Sequence, residues 1–172
     1  MFSNDILDLV RQLLGHCRER ELRVVTAESC TGGLLAGAIT EIPGASQVFE
    51  RGFVTYANSA KEELLGVRAA TLARHGAVSE ETAREMALGA LARSRAHLAV
   101  AITGIAGPGG SEHKPEGRVC FGHARRRGPD SPLGEVPVLT ETVDFGPIGR
   151  SNVRLAALGH ALRALLEQAR EA

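Results

Sequence analysis

Five consecutive positions, Ser29-Cys30-Thr31-Gly32-Gly33, set a hydroxyl, a thiol, a second hydroxyl and two glycines side by side. They follow the run Leu22-Arg23-Val24-Val25-Thr26 and precede the helix-forming Leu34-Leu35-Ala36. The pattern reads as a buried strand, a turn and a helix start. The first amides of such a helix lack intrahelical partners and carry partial positive charge, which suits an anion or a developing oxyanion. A Ser or Cys just ahead of the helix has its anionic form favoured by the same field. Ser29 is therefore a candidate nucleophile, and the amides near Thr31, Gly32 and Gly33 are a candidate oxyanion hole. The plainer alternative is that Ser29 or Thr31 caps the helix. Cys30 offers a second nucleophile, but adjacent side chains diverge in such a turn, and a free Cys commonly packs inward.

A hydroxyl nucleophile needs a base beside it. The segment Gly52–Lys61 holds the chain's one tyrosine, Tyr56, and one of its two lysines, Lys61, five residues apart. An ordinary lysine is solvated, but one held near a Ser in a desolvated pocket loses its proton and acts as a base. Lys61 and Tyr56 are both candidates for that role. A third segment, Thr103-Gly104-Ile105-Ala106-Gly107-Pro108-Gly109-Gly110, lets a ligand approach the backbone closely, unless it is a plain flexible loop. It is neither a Walker A loop nor a dinucleotide fingerprint. In a fourth, Gly149-Arg150-Ser151-Asn152-Val153-Arg154, two guanidinium groups oppose the dipole of a helix start. Phosphate or carboxylate recognition by Arg150, ahead of Arg154, or a surface salt bridge would hold them there.

The elements that must position these groups alternate in type. Ser3 or Asn4 opens a helix whose Ile6, Leu9, Val10, Leu13, Leu14 and Cys17 share a face. A strand at 22–26, a helix at 33–40, a strand at 49–56 and a helix from Asn58 or Ser59 to Leu65 follow. Residues 74–78 read as a connection, and Ser79 caps a further helix with Glu80 and Glu81 in its first turn. A strand at 98–102 ends in Thr103-Gly104, strands at 118–124 and 136–145 form a late hairpin, and 151–168 is the last helix. The expectation is an α/β fold: a single domain over residues 1–172 with a mixed β-sheet flanked by helices.

Composition bounds the function. The chain has 172 residues, 44% of them hydrophobic, with 20 basic and 20 acidic residues. That balance gives no nucleic-acid footprint and no attraction to an anionic membrane. Cys17, Cys30 and Cys120 are odd in number with no CxxC pair, and the six histidines are scattered, so no disulfide framework and no metal site is expected. No apolar run approaches the ~18 residues of a membrane span, and the N-terminus lacks a signal-peptide pattern. A cytoplasmic protein without a cofactor is expected.

Together the motifs resemble one family. Thr26–Gly33, Phe49–Lys61, Leu65-Gly66-Val67, His75–Glu80, Thr103–Gly110 and Lys114-Pro115 with Gly117 are similar, in order, to the CinA C-terminal domain, the nicotinamide-nucleotide amidohydrolase family. The resemblance spans roughly residues 5 to 168. It implies metal-free hydrolysis of the carboxamide of nicotinamide mononucleotide to nicotinate mononucleotide and ammonia, in pyridine-nucleotide recycling. Ser29 would be the nucleophile, Lys61 the base and Tyr56 a further catalytic group beside it. Cys30, Thr31, Gly32, Gly33, Thr103, Gly104 and Arg150 would contact the substrate, a small pyridine nucleotide, and a homo-oligomer is expected. The alternative is a nucleotide-binding or regulatory module that kept the fold and lost turnover. The chain departs from the family pattern at His97, where an Asp is common, at Glu116 in place of a Val, at Ile148-Gly149 ahead of Arg150, and in a glycine loop one residue shorter.

Overall fold

The computed structural model describes residues 2–111 and 113–171. Five strands form one mixed sheet in the order β2-β1-β3-β4-β5. These are β1 (Val24–Glu28), β2 (Phe49–Val54), β3 (Leu98–Gly104), β4 (Arg118–Arg125) and β5 (Val138–Asp144). β1 runs parallel to β2 and β3, while β4 and β5 form the expected antiparallel hairpin. The helices are α1 (Asn4–Glu19), α2 (Leu34–Thr40), α3 (Asn58–Leu65), α4 (Ala69–His75), α5 (Glu80–Ala92) and α6 (Arg150–Arg170).

Strand periodicity divides the core into two layers. Leu98, Val100 and Ile102 of β3 face α1, α2 and α6, together with Leu13, Leu35, Ile39 and Leu158. The alternate residues Ala99 and Ala101 face Met86, Ala87, Ala90 and Leu91 of α5. Small residues on that second face let α5 lie close to the sheet. A Cβ at Gly122 would stand 2.4 Å from the Ala83 carbonyl oxygen, and one at Gly89 would stand 1.9 Å from that of Leu65. No helix among the described residues is long and apolar enough to cross a membrane.

Two expectations shift. β1 extends to Glu28, beyond the expected end at Thr26, because the buried Glu28 carboxylate is satisfied by amides at the start of α2. Residues 69–75, read only in part and as a connection, form α4. Its N-cap, Arg68, supplies no side-chain cap, but Glu85 of α5 accepts the Arg68 amide at 2.8 Å and the Thr71 hydroxyl at 2.7 Å. The cap comes from a distant element, so no local pattern announces it. At His97, the position where an Asp is common, Nδ1 accepts the Arg23 amide at 3.0 Å. An acceptor is thereby retained at the mouth of β1.

Candidate active site

The three parallel strands end at one level. The Ser29 amide donates to the Ile102 carbonyl at 2.9 Å, and the Thr55 amide to the Glu28 carbonyl at 2.8 Å. These bonds carry the ladder one residue beyond the strands. Ser29 is thereby set between the Thr55-Tyr56 end of β2 and the Thr103-Gly104 end of β3. The chain leaves β1 through α2 on one face of the sheet and leaves β2 through α3 on the other. Such a reversal opens a crevice at the carboxyl ends of the strands. Here it is a cleft of about 330 Å³ lined by residues including Ser29, Tyr56, Lys61, Thr103, Gly107 and Arg150.

Lys61, on the first turn of α3, is 1% exposed, and it is among the largest fully buried side chains of the described residues. Its Nζ lies 3.0 Å from Ser29 Oγ, 2.8 Å from the Thr55 carbonyl and 3.1 Å from that of Tyr56. No carboxylate stands in this shell. Burial pushes the Lys61 pKa below the ordinary lysine value, against a smaller upward pull from Cys30. The three partners, two carbonyls and the Ser29 hydroxyl oxygen, match the three N–H groups of an ammonium. Once deprotonated, the amine can still serve both carbonyls, with its lone pair turned to the Ser29 hydroxyl proton.

Cys30 turns the other way. Its thiol packs in the core with Leu35, Ile102 and Val119, though the residue also borders the cleft. Burial pushes the thiol up to about 11, opposed by a bond from its own amide and reinforced by the Glu28 charge. A thiol so placed is overwhelmingly protonated near neutrality, whereas the Ser29 hydroxyl faces the Lys61 amine.

The helix-start reading needs a correction. The first amides of α2 do not stand open. Glu28 is fully buried, and its carboxylate accepts the amides of Gly33 at 3.1 Å, Leu35 at 3.1 Å and Ala36 at 2.9 Å. The Gly32 amide donates to the Ser29 carbonyl at 3.0 Å. Gly32 and Gly33 are therefore used in folding the turn, with φ of 59° and 94° that favour glycine. Thr31 is buried, its Oγ1 without a partner, and none of these three lines the cleft. Within the turn, the Cys30 and Thr31 amides are the ones that no carbonyl or carboxylate accepts among the described residues, the Cys30 amide facing its own thiol.

The remaining candidates divide by face. Tyr56 is 61% exposed, and its phenol oxygen accepts Arg150 Nη2 at 2.9 Å. Arg150 Nη1 donates to the Gly107 carbonyl at 2.8 Å, so the guanidinium spans the mouth of the cleft with further N–H groups to spare. Arg154 is turned away from the cleft, donating to the Cys30 and Thr31 carbonyls at 3.1 and 3.0 Å. Thr103 donates its hydroxyl to the Ala77 carbonyl at 2.7 Å, which ties residues 76–78 to the end of β3. Lys114 holds the same segment from outside, through the carbonyls of His75 and Val78. Glu116 accepts the Gly109 amide at 2.6 Å and braces the glycine loop.

Ala77 and Val78 also line the cleft, a contribution that sequence reasoning missed because nothing in their side chains is reactive. It assigned no role to Glu28 either. The available signal was a carboxylate closing an otherwise apolar strand directly before a glycine turn.

Residues 7–169 match the model of the CinA C-terminal domain. The nicotinamide-nucleotide amidohydrolase PncC of Escherichia coli K12 is 47% identical over 169 residues, which cover 98% of this chain and 97% of the relative. The protein of the same name from Enterobacter agglomerans is 51% identical over 84% of each chain. Among solved structures, the competence/damage inducible protein CihA from Agrobacterium tumefaciens superposes with a TM-score of 0.89 at 50% identity, covering 97% of both chains.

Proposed function

The chain belongs to the CinA C-terminal domain family, and from that premise we propose that it hydrolyses the carboxamide of nicotinamide mononucleotide to nicotinate mononucleotide and ammonia. The observation that carries the mechanism is the 3.0 Å contact between Lys61 Nζ and Ser29 Oγ in a buried setting. Neutral Lys61 takes the hydroxyl proton as Ser29 Oγ bonds to the carboxamide carbon, and the carbonyl oxygen becomes an oxyanion. The amides of Cys30 and Thr31, beside the nucleophile and taken up by no carbonyl or carboxylate of the described residues, support that charge. Collapse of the tetrahedral species breaks the C–N bond. The ammonium of Lys61 returns its proton to the departing nitrogen, which leaves as ammonia. Water then attacks the ester on Ser29 with Lys61 again as base, releasing the carboxylate and restoring both side chains.

Arg150 and the loop 107–109 line the cleft, and they are the groups that would receive the 5′-phosphate of such a substrate. A guanidinium with spare donors and a glycine-rich backbone suit a phosphate. The substrate is a small pyridine nucleotide, and the reaction is that of a cytoplasmic recycling enzyme. Incubation of the protein with nicotinamide mononucleotide, followed by measurement of ammonia and nicotinate mononucleotide, tests this. Stoichiometric release of both by the native protein and none by Ser29→Ala is expected. Tight binding of the nucleotide with no ammonia would instead indicate a binding module.

A further inference from the structure

A second cavity, of about 590 Å³, opens at the other end of the sheet, lined by residues including Arg125, Arg126, Arg127, Pro132, Val136 and Pro137. Leu98 pairs with Arg125 at this end and Gly104 with Val119 at the catalytic end, so the two cavities are separated by the length of β3. That length is roughly 20 Å at the rise of a strand. Three consecutive arginines where β4 leaves the sheet are not explained by the reaction.

Arg126 is 6% exposed. Its Nε donates to the Ala96 carbonyl at 2.7 Å and its Nη2 to the Ser94 carbonyl at 2.6 Å. These bonds orient the group but bring no countercharge. Among the described residues, no carboxylate forms an ion pair with Arg125, Arg126 or Arg127. Asp130 and Glu50 pull on Arg126 only from a distance, Arg95 pushes against it, and burial works against its charge most of all. The one carboxylate that borders the cavity is Glu135, which is exposed. A buried guanidinium is costly unless it is paired, and its two carbonyl bonds leave Nη1 to spare. Beside the arginines, Pro132, Val136 and Pro137 supply apolar lining. The volume falls in the range of small-molecule sites.

We infer that this cavity is an anion site for a phosphorylated small molecule, with the phosphate on Arg125–Arg127 and an apolar body against Pro132, Val136 and Pro137. It is distinct from the catalytic cleft and takes no part in the amide chemistry. Titration calorimetry with inorganic pyrophosphate and with ADP tests the assignment, using the native chain, Arg150→Ala, and the double variant Arg125→Gln/Arg127→Gln. Arg126 is left in place, since its bonds to residues 94 and 96 hold the entry to β3. Thermal melts verify that each variant is folded. We expect saturable binding of both probes, ADP tighter than pyrophosphate. Binding should be retained in Arg150→Ala and weakened at least about tenfold in the double variant, as for loss of charge-assisted contacts. No binding, binding unaffected by the double variant, binding lost in Arg150→Ala, or ADP weaker than pyrophosphate would each overturn it. So would a single-stranded oligonucleotide that binds through these arginines while both small probes fail.

Discussion

Replacing Lys61 with Gln asks whether its amine is a base or merely a charge. Gln keeps an NH₂ that can serve the Thr55 and Tyr56 carbonyls, but it offers Ser29 no basic lone pair. A lysine of ordinary pKa, about 10.4, would be neutral in roughly one molecule in 2,500 at pH 7. Catalysis near neutrality therefore needs the lowered value that burial imposes on Lys61. The sign follows. The active form is the deprotonated amine, so kcat/KM should climb tenfold per pH unit below the Lys61 pKa and level off above it, with the inflection below 10.5. Because the native chain holds this proton less tightly than the unfolded chain, Lys61 also makes the fold more stable as pH rises between the lowered pKa and 10.5.

The assay is ammonia release from nicotinamide mononucleotide between pH 6 and 10. Loss of a general base typically costs about 10²–10⁴-fold. Lys61→Gln should fall by that much, and its residual rate should lack the rising limb. Ser29→Ala combined with Lys61→Gln should be no worse than the poorer single variant, since groups in hydrogen-bond contact act as one unit. A rising limb that survives unchanged in Lys61→Gln, or losses that multiply in the double variant, would refute the assignment. Tyr56 would then be the next base to test.

Arg150→Ala should raise KM for the nucleotide roughly tenfold or more, with little change for the phosphate-free riboside, as expected for a charge-assisted contact to phosphate. Equal losses on both substrates, measured side by side, would exclude that role. Cys30→Ala should retain turnover within a few-fold, and native Cys30 should resist thiol alkylation at pH 8, because its pKa is pushed up to about 11 in a buried setting. Rapid labelling at Cys30 would contradict this. Glu28→Ala should strand three amide donors at about 1–3 kcal/mol each before water or relaxation compensates, lowering Tm by about 2–4 °C per kcal/mol for a chain of this size. A melt within a degree or two of the native one would show that the α2 amides find other acceptors.

Elements with a local cause were legible in the sequence. β3 is apolar from Leu98 to Ile102 with large and small residues alternating, and α5 carries its own Ser79 cap. The meeting of Ser29 with Lys61 was also legible, because both lie just past strands that pair in parallel at one level. What escaped was whatever depends on a partner far along the chain. α4 is capped by Glu85, and residues 76–78 are fixed by Thr103 and Lys114. No side chain of residues 76–78 is reactive, and only tertiary contact brings Ala77 and Val78 to the cleft.

Glu28 shows how such a contact changes the chemistry inferred for a motif. Seen alone, a serine ahead of two glycines and a helix suggests open amides waiting for an anion. A carboxylate one residue earlier already occupies them, and the helix start is neutralised within the fold. The same bonds hold the backbone on both sides of Ser29, because Glu28 closes β1 while its oxygens grip α2. The turn thereby holds Ser29 Oγ toward Lys61, and of its amides those of Cys30 and Thr31 are taken by neither Glu28 nor a backbone carbonyl. Rate losses in Glu28 variants should accordingly appear in kcat, where nucleophile geometry acts, with KM for the nucleotide nearly unchanged. A loss confined to KM would place the role of Glu28 in substrate binding and not in aiming the nucleophile.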